Sequence, residues 1–298
     1  MNTDTIPLFT PKNWTEYSLL DSGNGEKLEK FGDYILCRPE PQALWDKGLS
    51  ETEWRKLYHV RFVQKGSHAG EWQKQKACPD RWPIHYSHKG LELTFNLSLT
   101  SFKHVGIFPE QAINWDYIFK QTAAIRGEQA KVLNLFAYTG GSSLAPKAAG
   151  ADVTHVDSVK QVITWSKENM ESSGLNDIRW VVEDALKFVK REVKRGKKYN
   201  GIILDPPAYG IGANGERWKL EEQINEMLHE LKSLLAEQHF MVLNMYSLGM
   251  SALITENLVR SVFQPKGILE SGEVYLQSGT DQKLPLGIVA RYATGNEK

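Results

Sequence analysis

The sequence predicts an α/β protein, a mainly parallel sheet with helices on both faces, behind a smaller N-terminal α+β domain. Three observations predict it. From Val132 onward, short apolar runs alternate with amphipathic runs at helical spacing. Before about Leu97, strand-like runs are broken by turns. The chain has 298 residues, 41% hydrophobic and 24% charged, enough for two domains of ordinary globular composition. The expected division is residues 1–97 and 98–298.

In the first part, Tyr17–Leu20 and Leu28–Leu36 read as strands flanking the turn Ser22–Gly25. Leu91, Leu93, Phe95 and Leu97 alternate with other residues, as in a half-buried strand. In the second part, Val132–Phe136 is a strand and Ser142–Ala149 a small-residue helix stopped by Gly150. Val153–Val156, Trp180–Val182, Ile202–Leu204 and Phe240–Leu243 continue the strands. Val159–Glu171, Ala185–Val193, Lys219–Leu235 and Ser251–Phe263 supply the helices. Strands near Glu273–Gln277 and Gly287–Tyr292 finish the chain. Ligands of such sheets bind at the carboxyl ends of the strands.

Bulk properties narrow the classes. Formal net charge is zero, so no global basic excess marks a nucleic-acid binder. Cys37 and Cys78 make neither a disulfide framework nor a CxxC zinc site, and they fit a reducing cytoplasm. The opening residues lack the charged and apolar regions of a signal peptide, and no apolar run reaches membrane-spanning length.

The strand ends carry the chemistry. Phe136–Gly141 follows the first strand, with two glycines that let backbone approach a ligand, though it is not GxGxxG. Asp157, with Ser158 beside it, follows the second strand, placed to accept from ribose hydroxyls or to cap the next helix. Asp184 either caps a helix or accepts from an adenine amino group. Asp205-Pro206-Pro207-Ala208-Tyr209 leaves the fourth strand as a stiff, non-helical exit that holds Asp205 at the mouth of the site. Tyr209 there offers an aromatic face to a base.

Together, Val132–Gly140, Val156-Asp157, Glu183-Asp184 and Asp205–Tyr209 resemble the ordered motifs of class I S-adenosylmethionine (SAM) methyltransferases. They are most similar to bacterial large-subunit ribosomal RNA base methyltransferases acting on guanine N7 or cytosine C5. The resemblance runs from about Leu91 to the C-terminus and includes Phe95–Gln111. It implies a Rossmann-like methyltransferase sheet with SAM as cofactor. It further implies that Tyr138, Thr139 and Gly140 line the SAM site, that Asp157 holds the ribose and Asp184 the adenine. Asp205 would lie by the methionine end, and Phe108, Glu110 and Gln111 would come from an upstream closing segment. Asn134 replaces an Asp common in the family, Glu110 replaces an Asp, and Ala112 stands where an Arg often follows.

Cytosine-C5 enzymes use a cysteine after the fourth or fifth strand. Asp205–Gly210 and Val242–Leu248 contain none, which favours a purine nitrogen as acceptor, with Asp205, Tyr209 and Asn244 on the substrate side and Tyr246 nearby. RNA, ribosomal RNA above all, is the expected partner. Residues 51–90 carry an excess of four positive charges, interleaved with Trp54, Tyr58, Trp72, Trp82, Tyr86 and four histidines (His59, His68, His85, His88). That segment is either an RNA-contacting surface or a small aromatic core. No metal site is expected. The basic run Lys187–Lys198 reads as a solvated helix face. A SAM enzyme acting on protein or a small molecule, and a non-catalytic SAM- or NAD-binding module, are the other readings.

Overall fold

A computed structural model describes residues 5–12, 14–66, 69–212, 215–246 and 249–295. The chain divides into two compact units. One comprises residues 1–9, 113–274 and 287–298, and the other residues 10–112 and 275–286. In chain order the elements begin β1 (Leu8–Phe9), β2 (Tyr17–Gly23), β3 (Glu26–Phe31), β4 (Tyr34–Pro39), α1 (Glu51–Leu57), β5 (Val60–Gln64), β6 (Gly70–Lys74), β7 (Arg81–His88) and β8 (Leu91–Ser98). After a 3-10 turn, Pro109–Gln111, come α2 (Ala112–Ala124), β9 (Lys131–Leu135), α3 (Gly141–Ala148), β10 (Asp152–Asp157), α4 (Lys160–Ser172), β11 (Ile178–Val182), α5 (Ala185–Lys194) and β12 (Tyr199–Leu204). The chain closes with β13 (Tyr209–Ile211), β14 (Arg217–Lys219), α6 (Leu220–Lys232), β15 (Leu235–Met245), α7 (Ala252–Phe263), β16 (Glu270–Gln277) and β17 (Lys283–Ala293).

The large sheet has the order β1-β16-β17-β15-β12-β9-β10-β11. From β11 through β15 every neighbour pair is parallel, and β17 returns antiparallel against β15. Strand order reverses between β9 and β12, the switch point where such sheets open a crevice. The α/β, Rossmann-like expectation holds. Continuous apolar strands explain it: β9 and β12 are buried on both faces, which only helices on both sides can achieve. On α6, Leu220, Ile224, Met227, Leu228 and Leu231 recur at helical spacing and sink into the core with Leu133, Leu135, Ile202 and Leu243.

The smaller unit is β-rich, and α1 is the α-helix wholly within it. The run expected as one strand, Leu28–Leu36, splits into β3 and β4 because Gly32 turns the chain at φ 61°. The expected boundary at 97/98 moves to 112/113. Residues just past β8 hydrogen-bond back into the smaller unit: Ser98 N to Val105 O, Leu99 N to Asp80 O, and Arg38 to the Lys103 carbonyl. The 275–286 turn joins it as well. Buried Asp21 accepts from Leu49 N (2.8 Å), Trp54 Nε1 (2.7 Å) and Thr280 Oγ1 (2.8 Å).

Three of the five aromatic side chains singled out in segment 51–90 are core. Trp54, Trp82 and Tyr86 are 1%, 6% and 2% exposed, too little to stack a base. Among the segment's eight cations, Lys65 pairs with Glu71, Lys74 with Asp80 and Arg61 with Glu26. His59 accepts from Ile35 N and His85 pairs with Glu16, while His68 lies outside the described residues. No helix among the described residues is long and apolar enough to cross a membrane.

Core burial sets a graded expectation on stability. Leu228→Ala, at a fully buried site on α6, should lose about 2–5 kcal/mol in urea unfolding. Leu253→Ala, on an α7 residue 62% exposed, should stay within about 0.5 kcal/mol of wild type.

Candidate active site

At the carboxyl end of β9 the chain turns sharply into α3. Phe136 and Tyr138 both take left-handed backbone, φ 54° and 49°, and Gly140 follows at φ 96°. Non-glycine residues in that region cost about 1–3 kcal/mol each, so the turn must be held from outside. It is. Tyr138 N donates to Asp157 Oδ2 (2.9 Å), Ser166 Oγ to the Tyr138 carbonyl (2.7 Å) and Asn169 Nδ2 to the Thr139 carbonyl (2.9 Å). At about 1 kcal/mol for each neutral bond and more for the carboxylate, these three match the strain. The two glycines have different reasons. Gly140 needs its positive φ, whereas a β-carbon on Gly141 would meet the Trp115 ring at 2.8 Å.

Behind the turn runs a buried polar line. Asn134 Nδ2 donates to Ser143 Oγ (2.9 Å), and Ser143 Oγ lies 3.0 Å from His155 Nδ1. Burial drives the His155 pKa down to about 3, so the ring is neutral, with one nitrogen a donor and the other an acceptor. Asn134 therefore serves the packing of α3 against the sheet. Sequence reasoning did not single out Ser143, His155, Ser166 or Asn169, although their polarity inside apolar stretches was a signal.

Asp157 ends β10 as expected. Its two oxygens accept from Tyr138 N and Val159 N, both at 2.9 Å. A carboxylate has about four acceptor positions, so acceptor capacity remains for a ligand hydroxyl. Burial raises its pKa, and hydrogen bonds from the Val159, Tyr138 and Ser158 backbone oppose the rise. Asp184 caps α5, accepting from Lys187 N at 2.9 Å. A cleft of about 530 Å³ opens beside it, lined among others by Glu183, Lys187, Arg191, Glu216 and Arg217. Five cations and three carboxylates line it, with Arg191 bound to Glu183 at 2.6 Å and Lys190 to Glu226, outside the lining, at 2.5 Å.

Asp205 leaves β12 partly buried, and Asn244 Nδ2 on β15 donates to its Oδ1 at 3.0 Å. Burial pushes its pKa up to about 6, against the pull of that hydrogen bond. The Pro-Pro exit is stiffened by Trp218, which donates to the Pro207 carbonyl at 2.7 Å and packs on Phe136 at 4.9 Å. The chain then makes the small β13–β14 hairpin before Leu220 N returns to the Ala208 carbonyl (3.0 Å). Tyr209, on that hairpin, is 56% exposed, and Tyr246 is 41% exposed. Phe108, Glu110 and Gln111 belong to the smaller unit, on and before the 3-10 turn, with Glu110 and Gln111 buried.

The donor set fits SAM. At the tips of β10 and β12 stand carboxylates, Asp157 and Asp205, suited to a cationic sulfonium compound with a ribose diol and an ammonium. The strained Phe136–Gly140 turn with its glycine cradle admits close backbone approach.

Comparison with known proteins agrees. The model of the family described as Conserved hypothetical protein 95 matches residues 109–265. A solved structure of a SAM-dependent methyltransferase from Agrobacterium tumefaciens is 36% identical, covers 96% of this chain and 93% of that one, and superposes with a TM-score of 0.88. The chain belongs to this family of class I SAM-dependent methyltransferases. Two curated relatives are ribosomal RNA large subunit methyltransferase K/L of Shewanella frigidimarina and methyltransferase I of Aeromonas salmonicida. The first is 33% identical over 48% of this chain and 20% of that protein; the second is 24% identical over 68% and 54%. The methyltransferase thus spans a fifth to about half the length of these relatives.

Two outcomes follow from the geometry. Gly141→Ala should weaken SAM binding at least about tenfold in calorimetry, because Trp115 blocks the new methyl. Asp205 has a raised pKa, so the folded state holds its proton more tightly and loses stability as pH rises from about 4 to about 6. Asp205→Asn should therefore be more stable than wild type by about 1–3 kcal/mol at pH 8 in urea unfolding, with the gap closing near pH 4.

Proposed function

We propose that the protein methylates a purine nitrogen in structured RNA, ribosomal RNA foremost, without a cysteine nucleophile. The observation that carries this reading is Asp205, a partly buried carboxylate at the Pro-Pro exit, fed a hydrogen bond by Asn244. Both cysteines, Cys37 and Cys78, fall in the other unit, and burial pushes each thiol up, away from the nucleophilic thiolate. The similarity to ribosomal RNA large subunit methyltransferases supports RNA as the substrate class.

Bound SAM supplies an electrophilic methyl group on a sulfonium. For the chain's own part, Tyr138, Thr139 and Gly140 would present backbone to the cofactor, Asp157 and Ser158 would meet the ribose, and Asp184 the adenine amino group. The family resemblance implies a role in SAM binding for Phe108, Glu110 and Gln111, which Glu110→Ala would test by weakening SAM affinity in calorimetry. Asp205, ionised in most molecules at neutral pH, would accept from an amine, and the exposed Tyr209 would offer a stacking face. Purine N7 needs alignment more than a base, and positioning can contribute roughly 7–11 kcal/mol. Free buried thiols fit a cytoplasmic protein. Proteins or small molecules are the second reading of the acceptor, favoured by the zero formal net charge and the buried tryptophans.

Incubation with tritiated SAM and unmodified ribosomal RNA tests the reading. Label should enter RNA and, at saturating SAM, fall about 100-fold or more in Asp205→Ala. Absence of label from RNA contradicts the reading, and label in protein when a protein extract is added favours the second.

A further inference from the structure

Four side chains from separate elements form one line of hydrogen bonds ending at Asp205. Asn244 Nδ2 donates to Asp205 Oδ1 at 3.0 Å, and Asn114 Nδ2 on α2 donates to Asn244 Oδ1 at 3.4 Å. Arg291 Nη1 on β17 donates to Asn114 Oδ1 at 3.3 Å. Asn114, Asn244 and Arg291 are 1%, 3% and 9% exposed. The arginine is clamped. Its Nη1 also donates to the Ile113 carbonyl (2.9 Å), its Nε donates to Glu270 (2.7 Å), and the guanidinium lies 4.5 Å from the Tyr117 ring centre and 5.1 Å from that of Phe9.

The chemistry of the four groups gives the line a direction. A carboxamide turned by half a revolution has nearly the same shape but exchanges donor and acceptor. A guanidinium carries donors only. Arg291 can therefore face only the oxygen of Asn114, which sends its N–H to Asn244, which in turn sends its own N–H to Asp205. Turned the other way, Asn244 would set its oxygen against Asp205, an arrangement satisfied only by a protonated carboxyl.

We infer that Arg291 is a positioning residue that fixes the direction of the Asn114–Asn244 line and so delivers an N–H, never a carbonyl, to Asp205. Its relevance to catalysis rests on the reading of Asp205 as an acceptor in methyl transfer; the hydrogen-bond direction does not. Through-space charge from Arg291 is not what acts on Asp205, whose titration is governed by burial and the Asn244 hydrogen bond. The charged and titratable groups at the far end are Glu270, which pairs with Arg291, and Tyr117, whose hydroxyl burial pushes up.

Carbon-13 NMR titration of aspartate carboxyl carbons in the ligand-free protein tests this, with the Asp205 signal assigned by its loss in Asp205→Asn. Arg291→Met should raise the Asp205 midpoint by about one pH unit. Arg291→Lys, still donor-only, should leave it at the wild-type value. Asn114→Leu should raise it too, with the arginine and its Glu270 pair intact, so it decides the matter if Arg291→Met does not fold. An unchanged midpoint in both line-breaking variants, or an equal shift in Arg291→Lys, overturns the inference. A parallel pH profile of methyl transfer separates the two claims. If wild type transfers no methyl, the functional reading fails while the titration still judges the line.

Discussion

The Tyr138 N–H to Asp157 hydrogen bond joins the two strand ends at the switch point. Together with the Ala137 N to Val156 carbonyl bond (3.1 Å), it anchors the left-handed Phe136–Tyr138 turn, from which α3 starts, to β10. The bond also explains why one aspartate can serve twice. Backbone N–H groups on both of its oxygens orient the carboxylate and leave outward acceptor capacity for a ribose hydroxyl. Ser166 and Asn169 complete the support from α4, and the glycines then satisfy local needs, a positive φ at Gly140 and room for Trp115 at Gly141. The cradle is preorganised by the protein's own bonds, so a ligand need not order it.

Asp205 is the opposite case. Partial burial raises the energy of its charged form, and one amide N–H offsets only part of that. A fold selected for stability alone would place an amide or an apolar group there. The cost is tolerable because Asp205 sits at the end of β12, between strands whose parallel ladder fixes its position, and because Trp218 locks the proline exit behind it. Strained or costly groups gathered where strands end are what a functional site in this architecture looks like.

The alternating β and α elements were legible because their signals are local. Apolar runs such as Val132–Leu135 and the Leu220–Leu231 stripe mark elements by themselves, and Asp157 and Asp205 stand at strand ends that the runs define. What lay hidden depends on distance or on short length. Arg291 and Asn114 are 177 residues apart, and nothing in either neighbourhood signals the other. The 275–286 turn joins the smaller unit through Asp21, which no contiguous boundary at residue 97 can express. The β13–β14 hairpin has strands of three residues, too short for a period to show. Trp54 and Trp82 admitted both a surface and a core role, and burial chose the core.

The central claim is that the strand-end cradle binds SAM rather than a dinucleotide. Titration calorimetry of the intact protein with SAM and, separately, with NAD tests it most directly. The account predicts one SAM site per chain, weakened about tenfold or more by Asp157→Ala, and no heat of binding from NAD. Saturable NAD binding with none for SAM would contradict it.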